Sequence, residues 1–138
     1  MNPITVTTDI RSDIGTVWKA WTEPAHITHW NFASADWECP AAENDPQVGG
    51  RFSYTMAAKD GSASFDFTGT YTDVIPEKRI AYTMDDSRKS TIDFAQNDNT
   101  VHVTETFDPE QINTEELQRN GWQSILDNFK TYVESLKS

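Results

Sequence analysis

The chain has 138 residues, of which 36% are hydrophobic and 12% aromatic, and this size and composition predict one domain with a core over residues 1–138. The formal net charge of -11 argues against binding of nucleic acid or anionic lipid, since both need clustered lysines and arginines. No apolar run approaches the roughly 20 residues of a membrane-spanning helix. Small molecules and other proteins are the partner classes that remain.

Cys39 is the single cysteine of the sequence, which excludes an intramolecular disulfide. The amino-terminal residues Met1, Asn2 and Pro3 begin neither the basic nor the apolar segment of a secretion signal. Both features are typical of a cytoplasmic protein, and we predict that location.

The chain begins with a strand and a short helix. Residues 4–10 alternate aliphatic side chains with threonines and an aspartate, which predicts a half-buried strand. Apolar residues then recur at helical spacing from Ile14 to Trp21. Ser12 or Asp13 is well placed to cap this helix.

A second short helix is predicted over residues 25–30, because Pro24 suits the first position of a helix. His26 and His29 stand three residues apart on it, a spacing that allows two metal ligands on one face. No stronger metal signature accompanies them. We therefore predict solvated histidines, no metal ion and no cofactor.

Six further strands are predicted after residue 33, near 34–39, 51–57, 63–75, 79–85, 89–95 and 100–107. Turn residues rather than helical stretches separate them, so neighbours in sequence are expected to pair antiparallel. Gly69 lies inside one strand, and Gly49 and Gly50 precede another. These glycines suit bulges or bends that curve the sheet, or they merely end strands.

The last quarter of the sequence, residues 113–136, is predicted to form one long amphipathic helix. Its apolar positions are Leu117, Gly121, Trp122, Ile125, Phe129, Tyr132, Val133 and Leu136. Such a helix is roughly 36 Å long, so an extended sheet has to cover it. The predicted fold is α+β of the helix-grip type, a curved seven-stranded antiparallel sheet around the C-terminal helix. This arrangement leaves a cavity between sheet and helices.

Five segments share the pattern of one family: VWKAWTEPAHITHW at 17–30, VGGRFSYTM at 48–56, FTGTYTDVIPEKRIAYT at 67–83, VTETF at 103–107 and GWQSILDNFKTYVE at 121–134. The chain resembles the bacterial homologues of the activator of heat-shock-protein-90 ATPase, in the START-like (SRPBCC) superfamily. The resemblance covers nearly the whole chain in the expected order, and the last segment is the most specific.

The resemblance implies a helix-grip domain with a hydrophobic cavity, in a superfamily whose better-understood members bind apolar or aromatic small molecules. A chaperone partner is implied by the family name alone. Asn31 departs from the pattern, since many relatives carry a second aromatic residue there, and this bears on the mouth of the cavity. A monomer and a homodimer are both compatible with the sequence.

Glu105 is the one candidate for chemistry. It shares a strand face with three apolar residues, so a partly desolvated carboxyl is expected there. The carboxyl is placed to act as a general base or to anchor a ligand. Alternatively, it reaches water at the strand end or pairs with Arg51, Arg79 or Arg119. No nucleophile is indicated, because Cys39 has no histidine partner in sequence.

Aromatic residues on the inward strand faces and on the long helix are expected to line the cavity. The predicted ligand-binding residues are Trp30, Phe52, Tyr54, Phe67, Tyr82, Glu105, Trp122 and Ile125. The favoured function is a protein that holds an apolar or aromatic molecule, lipid-like or polyketide-like. The alternatives are a cyclase or hydrolase that uses the cavity carboxylate, and a module that modulates a chaperone ATPase.

Overall fold

The computed structural model describes residues 2–136. In chain order its elements are β1 (Ile4–Arg11), α1 (Ile14–Thr22), α2 (Pro24–Ile27), β2 (Trp37–Asn44), β3 (Arg51–Ala58), β4 (Ser64–Ile75), β5 (Arg79–Met84), β6 (Lys89–Asn97), β7 (Thr100–Phe107) and α3 (Glu115–Ser135). The strands form one antiparallel sheet in the order β1-β7-β6-β5-β4-β3-β2. The sheet curls around α3, which confirms the predicted helix-grip architecture.

The first strand pairs with the last, at the opposite edge of the sheet from β2. Ile4 lies opposite Phe107 and Arg11 opposite Thr100, so β1 and β7 pair along their full length. The two short helices therefore carry the chain from one edge of the sheet to the other. Within the described range 2–136, no helix is long and apolar enough to cross a membrane.

Strand β2 differs from its prediction over 34–39, since it spans Trp37–Asn44 and continues through Pro40. The pairing register with β3 shifts between Glu38 and Ala41, so the proline lies at an irregularity of the ladder. Proline has no N–H to donate, and a sheet tolerates it at an edge or a bulge. The prediction from the sequence stops before Pro40, because nothing in the sequence shows that this strand lies at an edge of the sheet.

Helix α2 is shorter than its prediction over 25–30, since it ends at Ile27. The N–H of Trp30 donates to the carbonyl of Ile27 at 3.3 Å, so a tighter turn follows the helix. This turn directs the Trp30 side chain inward, where it is 3% exposed.

Helix α3 covers the free edge of β1. The Gln123 Nε2 atom donates to the Thr7 carbonyl at 3.0 Å, and Lys130 Nζ donates to the Asp9 carbonyl at 2.7 Å. An uncovered edge strand offers its backbone groups to other chains. Side chains of α3 satisfy two of these carbonyls in β1.

The buried stripe of α3 differs at both ends from the predicted one. Leu117 and Leu136 are 58% and 39% exposed. Gln118 is buried instead, because its Nε2 atom donates to the carbonyls of Glu110 (3.1 Å) and Asn113 (2.9 Å) and thereby ties the preceding loop to the helix. The buried residues of the helix are Gln118, Leu126, Phe129 and Val133.

Gly69 neither ends β4 nor forms its bulge. The register shift between β4 and β5 lies between Tyr71 and Asp73 instead. A Cβ atom on Gly69 would lie 2.7 Å from ring carbons of Phe52 and 2.8 Å from the Thr83 carbonyl oxygen. The glycine therefore allows an aromatic ring to lie directly against the strand.

Replacing Gly69 with alanine is expected to destabilise the protein by about 1–3 kcal/mol, because the Phe52 ring or the β5 backbone has to shift. Gly121→Ala is the matched control, since a Cβ atom at that position in α3 meets nothing within 4 Å. The control should stabilise the protein by about 0.5–1 kcal/mol, as helical Gly→Ala changes do. Urea unfolding measures both, and equal shifts of the same sign would contradict the close-approach role.

Candidate functional site

A cavity of about 250 Å³ lies between the sheet, α3 and the turn after α2. The eight side chains predicted from the sequence all lie in its wall: Trp30, Phe52, Tyr54, Phe67, Tyr82, Glu105, Trp122 and Ile125. Contact of these residues with a ligand stays a prediction. Their convergence defines the candidate site.

The sheet side of the cavity is a cluster of aromatic rings from β3, β4 and β5. The Phe52 ring lies 4.9 Å from Tyr54 and 4.8 Å from Tyr82, centroid to centroid. Tyr54 pairs with Phe67 across the β3–β4 ladder, so alternation along the strands brings both rings to one face. Stacked and edge-to-face contacts of this kind fix the rings in place.

The helix side of the cavity is equally ordered. Trp122 stacks on Phe107, with ring centroids 3.8 Å apart and planes 8° apart. It also makes an edge-to-face contact with Phe67, with ring centroids 6.1 Å apart. The Trp30 indole N–H donates to the Ala20 carbonyl at 3.0 Å. Both tryptophans therefore hold their orientation without a ligand.

Tyrosine hydroxyls of the wall are partly satisfied within the protein. The Tyr54 and Tyr71 hydroxyl oxygens lie 3.4 Å apart, and Tyr71 donates to the Asn44 Oδ1 atom at 2.5 Å. Burial, and after it the nearby Glu105 carboxyl, raises the pKa of Tyr82. The tyrosines are therefore neutral at physiological pH.

Glu105 is 6% exposed and lies on β7, between β1 and β6. Its neighbours across the two ladders are Val6 and Ile92, both buried. The carboxyl has no hydrogen bond or ion pair to any residue in the described range 2–136. Burial raises the pKa of Glu105 to about 8. The prediction of a desolvated inward carboxyl therefore agrees with its position.

The alternative in which an arginine neutralises Glu105 is wrong. The three arginines considered from the sequence pair with other carboxylates at the surface: Arg51 with Asp85 at 2.7 Å, Arg79 with Asp93 at 3.0 Å and Arg119 with Glu115 at 3.9 Å. Among residues 2–136, Glu105 is therefore left without a paired cation.

Five polar residues of the wall lie outside the predicted ligand contacts: Asn31, Tyr71, Arg88, Glu110 and Gln118. Asn31 is 7% exposed, and its side-chain amide has no hydrogen-bond partner within residues 2–136. Its departure from the family pattern was the available signal. Arg88 follows the β5–β6 turn and donates from Nε to Asp86 at 2.7 Å. No pattern in the sequence indicates that this turn brings Arg88 to the cavity.

His26 of α2 and His29 in the turn that follows it contact α3. His26 Nδ1 lies 2.6 Å from the Tyr132 hydroxyl, and the His29 ring stacks on Tyr132 at 5.3 Å. His26 is half-buried, so the prediction of two solvated rings is wrong for this residue. The described part of the chain contains no group of three or more His, Cys, Asp or Glu side chains that could hold a metal ion. Burial raises the pKa of the Cys39 thiol to about 11, so the thiol is protonated.

Comparisons with known proteins agree with this architecture. The chain is 47% identical to an AHSA1-like protein from Aeromonas hydrophila, whose solution structure superposes with a TM-score of 0.87 over 96% of this chain and 93% of that one. It is 50% identical to a protein from Cytophaga hutchinsonii, with a TM-score of 0.84 over 98% and 94% of the two chains. A protein from Chromobacterium violaceum, 23% identical, shares the fold with a TM-score of 0.87 over 97% and 99%.

A search of curated proteins found no match. A family model does match, over residues 11–134, and its description is "Activator of Hsp90 ATPase homolog 1-like protein". The match includes every strand that contributes to the cavity wall and most of α3. The chain therefore belongs to the activator of Hsp90 ATPase homolog 1-like protein family.

Proposed function

We propose that this protein reversibly binds a small aromatic or apolar molecule in the cavity between sheet and helix. The observation that supports this function is the ordered aromatic wall around about 250 Å³ of space. Concave, mostly apolar sites with a few polar groups are typical of small-molecule binding. A water molecule takes about 30 Å³ of liquid, so the space corresponds to roughly eight waters, or one or two fused rings.

The affinity follows from the surface that such a ligand buries. A two-ring molecule that buries roughly 200 Å² of apolar surface gains about 5 kcal/mol at 25 cal/mol per Å². This free energy corresponds to a dissociation constant of roughly 200 μM, and each well-placed hydrogen bond lowers that constant further. Screening with simple aromatic probes at high micromolar concentration is therefore appropriate.

Binding of naphthalene derivatives, followed by calorimetry or by native mass spectrometry, tests the proposal. Ile125→Trp places a large ring in the cavity wall and should weaken binding at least tenfold. Leu117→Trp is the matched control, because it adds the same ring at an exposed position of the same helix. Wild type and control should bind saturably and equally.

Circular dichroism and thermal melting establish that both tryptophan variants are folded. Equal binding by Ile125→Trp and wild type would place the ligand outside the cavity. No saturable binding of any naphthalene derivative to the wild type would contradict the proposed function.

A second candidate function rests on Glu105. The pKa of the buried Glu105 carboxyl, about 8, is close to the pKa that a general acid or base needs at neutral pH. A cyclase or hydrolase would use this carboxyl to move a proton on a bound carbonyl compound. Turnover that disappears in Glu105→Gln, while ligand binding persists, would establish this function.

A further inference from the structure

Two buried polar side chains face the cavity with unused hydrogen-bonding capacity. They are the Glu105 carboxyl, 6% exposed, and the Asn31 amide, 7% exposed. Neither has a hydrogen-bond partner within residues 2–136, whereas the Gln118 amide beside the same cavity is bonded to the preceding loop. Buried polar groups in native proteins are normally bonded. The polar atoms of these two side chains therefore keep bonding capacity that a molecule in the cavity is able to use.

The surroundings of Glu105 favour the uncharged acid. Its strand neighbours Val6 and Ile92 are apolar, and the titratable groups that share its cavity are Tyr54, Tyr71, Tyr82, Arg88 and Glu110. Arg88 is the cation of this set, and its guanidinium is paired with Asp86 at 2.7 Å. An ionised carboxylate without a partner is costly in such a place. Glu105 therefore holds a proton that it is able to donate.

We propose that Glu105, as an uncharged carboxylic acid, donates a hydrogen bond to the carbonyl oxygen of an uncharged aromatic ligand, with the Asn31 amide as the second polar contact. This inference rests on the proposed binding function. The expected ligands are neutral aromatic carbonyl compounds, such as aryl ketones. Carboxylates are disfavoured, because Arg88, the cation that lines the cavity among the described residues, already binds Asp86 through Nε and the Asp108 carbonyl through Nη1.

A matched set of four ligands tests the ligand class. Acetylnaphthalene has the carbonyl, isopropenylnaphthalene is the hydrocarbon of the same shape, naphthoate is the anion and naphthylethylamine is the cation. Calorimetric titration of the full chain at pH 6.5 should show the ketone binding about five- to tenfold more tightly than the hydrocarbon, as one hydrogen bond provides. Naphthoate and the amine should bind at least tenfold more weakly than the ketone.

Variants at Glu105 separate the hydrogen bond from the shape of the cavity. Glu105→Leu should bind the hydrocarbon at least as tightly as the wild type does and lose the preference for the ketone. Glu105→Gln keeps an N–H donor and should retain the preference. Asn31→Leu should reduce the ketone affinity about threefold and leave the hydrocarbon affinity unchanged.

The pH dependence provides an independent readout. Between pH 6.5 and pH 9 the affinity of the wild type for the ketone should fall about tenfold, because Glu105 loses its proton, while Glu105→Gln should show no such fall. An affinity for the amine that rises over this interval and exceeds that for the ketone would overturn the inference in favour of a cationic ligand.

The remaining outcomes distinguish this inference from the binding function itself. If the hydrocarbon binds as tightly as the ketone to the wild type, or if Glu105→Leu keeps the ketone preference, the inference is wrong and the binding function stands. If none of the four ligands binds, both are wrong.

Discussion

Replacing Glu105 with glutamine is expected to remove most of the loss of stability that this protein undergoes between pH 5 and pH 8. Burial raises the pKa of Glu105 from 4.5 to about 8, so the folded state holds a proton that the unfolded state releases. The free energy of unfolding therefore falls as pH rises through this interval, by at most about 1.4 kcal/mol per pH unit. Over these three pH units the loss is at most roughly 4 kcal/mol, an upper bound because water entry relaxes the buried charge.

Urea unfolding at pH 5.5, 7 and 8.5 measures this effect. The wild type should lose stability steadily, and Glu105→Gln should remain nearly constant, so the variant becomes the more stable protein above pH 8. Glu38→Gln is the matched control, because Glu38 is an exposed glutamate of β2. Parallel pH profiles for the wild type and Glu105→Gln would show that Glu105 does not hold its proton in the folded protein.

Phe129→Ala is expected to destabilise the protein by about 3–5 kcal/mol, the cost of removing a fully buried aromatic ring. Phe129 is 0% exposed, and its ring lies 4.8 Å from Trp21 and 4.7 Å from Trp30. These contacts hold α1 and the turn after α2 against α3. Since Trp21 and Trp30 also line the cavity, the substitution should weaken ligand binding as well.

Chemical denaturation and near-ultraviolet circular dichroism measure the consequence. Leu117→Ala is the control on the same helix, and a change of less than about 0.5 kcal/mol is expected because its side chain is 58% exposed. A loss of less than about 1 kcal/mol in Phe129→Ala, or an equal loss in both variants, would show that this packing does not hold α3 in place.

Periodicity predicted the elements that build the cavity. The two-residue period of β3 places Phe52 and Tyr54 on one face, and the same period in β7 places Glu105 inward. The helical period of α3 brings Trp122 against Phe107 of β7 and buries Phe129 against Trp21 and Trp30. These relations depend on local geometry alone, which is why the sequence was sufficient for them.

The bounds of β2 and α2 depended on position in the fold. Pro40 ends a strand pattern in the sequence, yet β2 continues through it because the strand is an edge with an irregular register. Trp30 continues a helical pattern, yet a turn after Ile27 brings its ring to the cavity. Both the sheet edge and the cavity are properties of the assembled sheet, so the local sequence pattern does not indicate them.

By itself, the sequence determined the order of the elements, the inward face of each strand and helix, and the presence of a carboxyl among apolar neighbours. Only the tertiary structure decided that Arg51, Arg79 and Arg119 pair with carboxylates other than Glu105. It also decided that Asn31 opens onto the same cavity. Ion pairs and cavities join residues far apart in the chain, and distances between such residues are set by sheet pairing and curvature rather than by spacing along the sequence.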